Sequence, residues 1–308
     1  MRILVAGAGA TGGFFGARLA QAGRDVTFLV RPRRAQVLRQ RGLRIIGPGA
    51  VETLTPRMVT APQIADTYDL VLLSVKATAL RQVLADLGEA AGPDTAILPF
   101  LNGIAHLAML NERYGEKAVL GGVAKVATDV NGDGDIVQLA PMASLLLGEQ
   151  DGRLSQQARG IGALMAGAGF DVDVTADIVS AMWHKWVFIA TAGALTCLMR
   201  GTVGDIAAVP GGTALAEGIL AEAAAVSAAA GFPVPAAELA ATHATMTQAG
   251  SAFAPSMYRD VAAGRPAEAE HILGDLVTRA QALSVATPLL DLATLHLRVY
   301  QRRADSAA

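Results

Sequence analysis

The pattern G-x-G-x-x-G spans residues 7–12, directly after the apolar run Arg2–Ala6, and it opens a stretch with helical periodicity. In this context, the first glycine permits a tight turn, the second lets the backbone approach a pyrophosphate, and the third lets the helix pack on the strand. Unpaired N–H groups at the start of that helix then face the phosphates. The pattern therefore predicts a dinucleotide-binding loop, and the alternative is a plain glycine-rich turn. The predicted cofactor-binding residues of the loop are Gly7, Gly9, Ala10, Thr11 and Gly12.

The residue that follows the second predicted strand distinguishes NAD from NADP. An acidic side chain there would bind the ribose hydroxyls and repel a 2′-phosphate, but this chain has Arg31. Arg33 and Arg34 follow, and no Asp or Glu occurs from Thr27 to Gly42. These arginines predict NADP(H) as the cofactor. The alternative is that they only solvate the start of a helix.

Lys185 is a candidate for proton transfer. It lies in the predicted helix Asp177–Arg200, on the face that carries apolar residues such as Ile178 and Met182. A buried lysine normally has a partner or a function, because desolvation lowers its pKa toward the range that suits proton transfer. The alternative is a lysine whose stem packs while its ammonium reaches water.

Two polar residues follow predicted strands of the first half. Lys76 comes after the strand Asp69–Val75, and Asn102 comes after the strand Thr95–Phe100. Ligands of open parallel sheets bind at the carboxyl ends of the strands. We therefore expect both residues to face the cofactor.

No metal site is expected. The segment from Asp129 to Gly134 resembles the start of a calcium-binding loop, but the twelfth position is Ala140 where a glutamate is required. A hairpin turn is the preferred interpretation. The five histidines lack metal-ligand spacing. His271 lies one turn from Glu268, which indicates a pair on a helix surface or, as the alternative, a functional neighbour.

Short aliphatic runs alternate with helical stretches in the first half, which predicts a parallel sheet covered by helices. From Asp177 onward, Ala-rich helical stretches replace the strands. We therefore predict a Rossmann domain over residues 1–176 and an all-helical domain over residues 177–308. The predicted strands are Arg2–Ala6, Asp25–Val30, Asp69–Val75, Thr95–Phe100 and Ala118–Val126, and the last predicted helices are Ala267–Leu283 and Pro288–Arg303.

Composition excludes several classes of protein. The 308 residues carry a net charge of −2, with 52% hydrophobic and 17% charged residues, which argues against disorder and against a nucleic-acid partner. The longest apolar run, Trp186–Met199, is shorter than the roughly 18 residues of a membrane span, so no membrane partner is expected. Cys197 is the single cysteine, so no disulfide can form within the chain, and the expected location is the cytoplasm.

Taken in chain order, these features resemble the ketopantoate reductase (2-dehydropantoate 2-reductase) family. The resemblance implies a Rossmann domain followed by a helical domain similar to the C-terminal domain of 6-phosphogluconate dehydrogenase. It implies that Lys185 is the general acid and that Glu268 helps to position the reacting groups. It further implies that Lys76 and Asn102 lie by cofactor and substrate, and that Ser256 binds the substrate carboxylate. The matching features are Gly7-x-Gly9-x-x-Gly12, Arg31, Leu-Leu-Ser-Val-Lys76, Asn102-Gly103, Met-Trp-His-Lys185-Trp, Ser256-Met257 and Glu268.

Three positions depart from the family pattern. Asparagines are usual four and eight residues after the lysine, where this chain has Ile189 and Gly193, and another is usual where it has Phe253. A site that loses such amides discriminates less well for a substrate hydroxyl.

The resulting expectation is NADPH-dependent reduction of a 2-oxo acid, in the first instance ketopantoate to pantoate in pantothenate biosynthesis. A paralogous reductase of a more apolar, branched or aromatic 2-oxo acid is one alternative. A redox sensor that binds NADP without turnover is another. A homodimer through the helical domain is also expected.

Overall fold

The computed structural model describes residues 1–47 and 49–307, and the chain divides into two compact units. The first unit contains Met1–Leu101 and His106–Val179, and the second contains Asn102–Ala105 and Ser180–Ala308. A short segment after the last strand of the first sheet thus groups with the helical unit.

Among the described residues, ten strands and five helices belong mainly to the first unit. The strands are β1 Arg2–Ala6, β2 Asp25–Leu29, β3 Leu43–Gly47, β4 Ala50–Leu54, β5 Arg57–Val59, β6 Leu70–Leu73, β7 Ala96–Pro99, β8 Leu120–Val130, β9 Ile136–Glu149 and β10 Asp171–Val174. The helices are α1 Ala10–Gln21, α2 Pro32–Arg41, α3 Leu80–Leu87, α4 Ala105–Tyr114 and α5 Gln156–Met165.

Five strands form a parallel sheet in the order β5-β2-β1-β6-β7. The registers of β1 pair Ile3 with Val26 on one side and with Leu70 on the other. Most residues of β1, β6 and β7 are buried, as expected for a parallel sheet with both faces covered. Phe14 and Phe15 anchor α1 in this core, and thereby fix the loop between β1 and α1.

Of the predicted strand Ala118–Val126, only the first residues reach the parallel sheet, through an isolated parallel bridge between Val119 and Ile97; the rest lies in β8, which corrects the sequence prediction. β8 pairs antiparallel with β9 in a second sheet, whose order is β10-β9-β3-β4, and β5 takes the fifth place in the first sheet. The chain reverses after Val130 through a turn in which Gly134 has a φ of +83°. β8 pairs with β9, the next strand in the chain. Closing the short loop between them costs less chain entropy than pairing with a distant strand. The hairpin turn expected at this point is confirmed.

The described residues of the second unit form helices joined by loops, and none of them lies in a strand. Its helices are α6 Ile178–Met199, α7 Val203–Ala207, α8 Gly212–Ala229, α9 Ala236–Met246, α10 Ser256–Ala262, α11 Asp275–Ala282 and α12 Pro288–Ala307. A π-helical turn over Glu270–Gly274 precedes α11 and interrupts the single helix predicted there. α6 is long and apolar enough to cross a membrane, but 61% of its apolar window is buried inside the protein, as in the core helix of a folded domain.

Candidate active site

The loop between β1 and α1 is shaped by close backbone contacts. Gly7 has a φ of +107°, and a Cβ on it would lie 2.4 Å from the carbonyl oxygen of Ser74. Its N–H donates to the carbonyl of Leu29 at 3.2 Å, which joins the loop to the end of β2. A Cβ on Gly12 would lie 2.2 Å from the Gly7 carbonyl oxygen. Side chains at these two positions are therefore incompatible with the shape of the loop.

Gly9 differs from its two neighbours in this loop. A Cβ on Gly9 would meet nothing within 4 Å, so its backbone borders open space. Gly9 is the N-cap of α1. The described first turn of this helix contains no acidic residue, and no capping side chain accepts a hydrogen bond from its N–H groups. An open helix start beside a side-chain-free backbone fits the pyrophosphate of a dinucleotide. The residues that would hold this group are those of the predicted loop.

The arginines after β2 separate into two environments. Arg31 is the N-cap of α2, and both Arg31 and Arg33 are exposed. Arg34 is half-buried and donates to the carbonyls of Gly134 at 2.8 Å and Ala8 at 3.1 Å. Because the guanidinium of Arg34 already binds two carbonyls, Arg31 and Arg33 are the better candidates for a 2′-phosphate.

Lys76 lies just beyond the end of β6. Its side chain is exposed, and its carbonyl accepts the N–H of Ala79 in a 3-10 turn. Ser74, two residues earlier, is the residue against which Gly7 and Gly12 pack. The strand end that carries Lys76 is therefore adjacent to the glycine loop.

In the second unit, two tryptophans fix the turn of α6 that carries Lys185. Lys185 is half-buried, and Trp186 is fully buried. The indole Nε1 of Trp186 donates to the carbonyl oxygen of Ile272 at 2.8 Å, and the ring centroids of Trp183 and Trp186 lie 5.0 Å apart. The guanidinium of Arg279 lies 5.6 Å from the Trp186 ring centroid.

Ile272 connects this turn to Glu268. The N–H of Ile272 donates to the carbonyl of Glu268 at 3.0 Å, while its own carbonyl accepts the Trp186 indole. Glu268 is half-buried and lies two residues before the start of the π-helical turn. Such turns are rare and occur frequently at functional sites. The backbone segments that carry Lys185 and Glu268 are therefore joined by hydrogen bonds through a single residue.

The same π-helical turn contacts the Asn102-Gly103 segment. A Cβ on Gly103, whose φ is +70°, would lie 3.2 Å from the backbone oxygen of His271 and 3.7 Å from its Nε2. Asn102 is half-buried. His271 thus lies against the Asn102-Gly103 segment, which is predicted to face cofactor and substrate. Its spacing from Glu268 in the sequence had not decided between a surface pair and a functional neighbour.

Ser256 begins α10 and is exposed, whereas the next residue, Met257, is buried. A Cβ on Gly193 would lie 2.1 Å from the Cε of Met257, so the methionine fills the space of a side chain at that position of α6. The ring of Phe253 lies 5.9 Å from that of Phe188. Apolar groups therefore make contacts at two of the three positions where this chain departs from the family pattern.

The sequence did not predict the contacts of Trp183 and Trp186, the π-helical turn, or the hydrogen bonds from Arg34 to the carbonyls of Ala8 and Gly134. The tryptophans that flank Lys185 were a usable signal, because a buried indole N–H requires an acceptor. The π-helical turn and the hydrogen bonds of Arg34 depend on neighbours that the tertiary structure brings close. Among the residues that the structure describes, no group of three or more metal-ligating side chains could hold a metal ion.

Comparisons with known proteins identify the family. The model "Ketopantoate reductase PanE/ApbA" matches residues 3–152, and its C-terminal counterpart matches residues 177–301. The chain is similar to the protein named uncharacterized oxidoreductase YkpB of Bacillus subtilis, with 31% identity over 98% of this chain and 99% of that protein.

Solved structures have the same fold. The 2-dehydropantoate 2-reductase of Methylococcus capsulatus is 29% identical with a TM-score of 0.85, covering 99% of this chain and 98% of that chain. A D-mandelate dehydrogenase solved with NADH and anilino(oxo)acetate is 22% identical with a TM-score of 0.89, covering 99% of each chain. The glycine loop and the helical unit described above agree with these matches. The chain belongs to the ketopantoate reductase family and is an oxidoreductase that uses a nicotinamide cofactor.

Proposed function

We propose that this enzyme reduces a 2-oxo acid to the 2-hydroxy acid with NADPH, and that ketopantoate, reduced to pantoate for pantothenate biosynthesis, is the first substrate to test. The observation that carries the proposal is the hydrogen-bonded connection from the Lys185 turn through Trp186 and Ile272 to Glu268. It fixes the backbone next to Lys185, the proposed proton donor, and next to Glu268, its proposed acidic partner.

The residues of the helical unit have distinct proposed roles. When bound, the cofactor supplies a hydride to the ketone carbon. The Lys185 ammonium donates a proton to the ketone oxygen, so that one C–H and one O–H bond replace the carbonyl π bond. Glu268 positions Lys185, Ser256 binds the substrate carboxylate, and Asn102 lies by cofactor and substrate. Lys76, in the first unit, is proposed to contact both ligands.

We propose that NADPH is preferred over NADH. Arg31 and Arg33 are exposed at the start of α2 and can form charge-assisted hydrogen bonds with a 2′-phosphate. NADPH is expected to bind at least about tenfold tighter than NADH, measured by fluorescence titration. Arg31→Ala should weaken NADPH alone, and the loss should shrink at high salt because screening grows. Equal affinities of the wild-type enzyme for both cofactors would contradict this preference.

A second candidate substrate class has its own support. The Phe188–Phe253 ring pair and the Met257 contact with Gly193 place apolar groups at positions where the family usually has amides. A substrate hydroxyl that meets apolar groups loses hydrogen bonds to water, at about 1–3 kcal/mol per unpaired group. A branched or aromatic 2-oxo acid does not incur that cost.

One assay separates these possibilities. NADPH oxidation is followed at steady state with ketopantoate and with 2-oxo acids that carry branched or aromatic tails. We expect the apolar substrates to match or exceed ketopantoate in kcat/KM. An advantage of ketopantoate above about a hundredfold over every analogue would assign the pantothenate role, since that is the scale of discrimination from a matched polar site. Tight NADPH binding with no turnover on any substrate would indicate a redox sensor.

We also propose a homodimer through α12, in the cytoplasm. Leu292, Leu295 and Val299 recur at helical spacing and are 52%, 59% and 53% exposed, which forms an apolar stripe on α12. Light scattering should report twice the chain mass, and Leu295→Glu should return the monomer. A monomeric wild-type chain at micromolar concentration would contradict this assembly. The buried, unpaired Cys197 is compatible with a reducing compartment.

A further inference from the structure

Arg34 connects three parts of the first unit. It lies in the first turn of α2, and its guanidinium donates to the carbonyl of Ala8 in the glycine loop and to the carbonyl of Gly134 at the tip of the β8–β9 hairpin. These two acceptors are 126 residues apart in the chain. Burial lowers the pKa of Arg34, and the carboxylate of Asp135 partly offsets that effect. A half-buried guanidinium with two carbonyl acceptors is committed to an internal contact.

The hairpin tip is a rigid anchor for this contact. The side-chain oxygen of Asn131 accepts the N–H groups of Asp133 and Asp135, which closes the turn. The buried carboxylate of Asp135 pairs with Arg41 at 3.0 Å and with Arg44 at 3.4 Å. The tip is thus held to α2 and β3 by charge as well as by its own hydrogen bonds.

The first residue of β9 contacts the start of α1 directly. A Cβ on Gly13 would lie 2.5 Å from the Cδ1 of Ile136, which is fully buried. The hairpin therefore touches α1 immediately after the glycine loop, while Arg34 binds the carbonyl between Gly7 and Gly9. Two independent contacts connect the hairpin tip with the segment proposed to receive the pyrophosphate.

We propose that Arg34 is a positioning residue for cofactor binding, which holds the Ala8 carbonyl and thereby keeps the Gly9 backbone open to the pyrophosphate, with the β8–β9 hairpin tip as its fixed anchor. This inference rests on the proposed cofactor site. It assigns Arg34 a role distinct from that of Arg31, because the pyrophosphate is common to NADPH and NADH whereas the 2′-phosphate is not.

The first test compares Arg34→Ala and Arg34→Lys with Arg39→Ala, an exposed arginine on the same helix. Fluorescence titration should give about a tenfold or greater loss of affinity for NADPH and NADH alike in both Arg34 variants, since a lysine ammonium cannot present the two N–H groups of the planar fork. Arg39→Ala should bind as the wild type. A loss confined to NADPH, or full rescue by lysine, would overturn the proposal, because either result indicates a charge effect on the 2′-phosphate.

The second test acts from the hairpin and needs no change at Arg34. A Cβ on Gly134 would lie 2.6 Å from Nη1 of Arg34, whereas a Cβ on Gly132 in the same turn would meet nothing within 4 Å. Gly134→Ala should therefore weaken both cofactors, and Gly132→Ala should weaken neither. Unchanged affinity in a folded Gly134→Ala variant would overturn the proposal. The comparison of Gly134→Ala with Gly132→Ala also tests the proposal if Arg34→Ala fails to fold.

A readout without cofactor completes the design. Amide hydrogen exchange in a peptide that covers residues 5–13 should be faster in Arg34→Lys and in Gly134→Ala than in the wild-type apoprotein. Equal exchange would contradict a positioning role. If the wild-type protein itself bound neither NADPH nor NADH, the proposed function would fail, and the exchange comparison would still report whether Arg34 orders the loop.

Discussion

The glycine loop and the Lys185 turn are built by different means. The loop is defined by backbone atoms: Gly7 and Gly12 leave no room for a Cβ, and Gly9 leaves space for a ligand. The Lys185 turn is defined by side chains, chiefly the Trp186 indole, which donates to the backbone carbonyl of Ile272. A site built from backbone depends on glycines, which lack a Cβ atom, at fixed positions in the sequence. A site built from side chains depends on partners that come from distant parts of the chain.

This difference predicts different consequences of mutation. In the glycine loop, one added methyl group can affect either the fold or the ligand, according to the direction in which it points. Around Lys185, a change in a supporting side chain should alter stability and catalysis together, because the same contact provides both.

The largest effect is expected for Lys185 itself. Lys185→Ala should lower kcat by about 10²–10⁴, the usual range for the loss of a general acid, with cofactor affinity little changed. Lys117→Ala, at an exposed lysine, is the matched control. Near-normal turnover in Lys185→Ala would show that Lys185 is not the proton donor.

Glu268 can be tested on the same assay. If it positions Lys185, Glu268→Ala should lower turnover, and the double variant should be no more than a few-fold worse than Lys185→Ala, because effects within one functional unit are not additive. Independent, multiplying losses would show that Glu268 acts separately.

A matched pair of glycine variants should separate fold from ligand in the loop. Gly12→Ala should destabilise the protein by about 1–3 kcal/mol, because its Cβ would overlap the Gly7 carbonyl oxygen. Gly9→Ala should leave the free energy of unfolding unchanged and weaken both cofactors by about tenfold or more. Urea unfolding and fluorescence titration measure the two effects. Equal destabilisation by both variants would contradict the distinction.

A smaller effect is expected for Trp186→Phe, which removes the indole donor and keeps an aromatic ring. Loss of the hydrogen bond to Ile272 should lower the free energy of unfolding by about 1–3 kcal/mol and reduce kcat several-fold. Trp183→Phe retains that bond and controls for ring size. A drop in stability without any change in kcat would mean that the bond does not position Lys185.

The smallest effect concerns pH. Two hydrogen bonds from Arg298, at 2.6 and 2.8 Å, lower the pKa of Glu270 in the π-helical turn. The pair therefore contributes stability above the unfolded-state pKa of about 4.3, and that contribution is lost as pH falls through the lower folded-state pKa. Because both side chains are largely exposed, we expect less than about 1 kcal/mol. Arg298→Gln should flatten the stability profile in this range, and an unchanged profile would contradict the assignment.

The order of secondary structure was largely accessible from the sequence. Four of the five predicted strands are strands β1, β2, β6 and β7 of the parallel sheet, and the helices predicted after Asp177 are present with small shifts at their ends. The fifth, Ala118–Val126, is a strand in a different sheet, because periodicity reports that a strand exists and not which strand it pairs with. The interruption at Glu270–Gly274 was not predictable from helix propensity, since its contacts involve Trp186 and Arg298.

The sequence by itself determined the glycine loop, because a G-x-G-x-x-G pattern between strand and helix requires only local geometry, and it determined the division into a Rossmann part and a helical part. It also selected Lys185, as a charge on an otherwise apolar helix face. Only the tertiary structure decided that Arg34 binds Ala8 and Gly134, since its acceptors come from separate strand ends. The reason is physical: backbone conformation depends on neighbouring residues, whereas the partner of a long side chain depends on which distant segment the fold brings within reach.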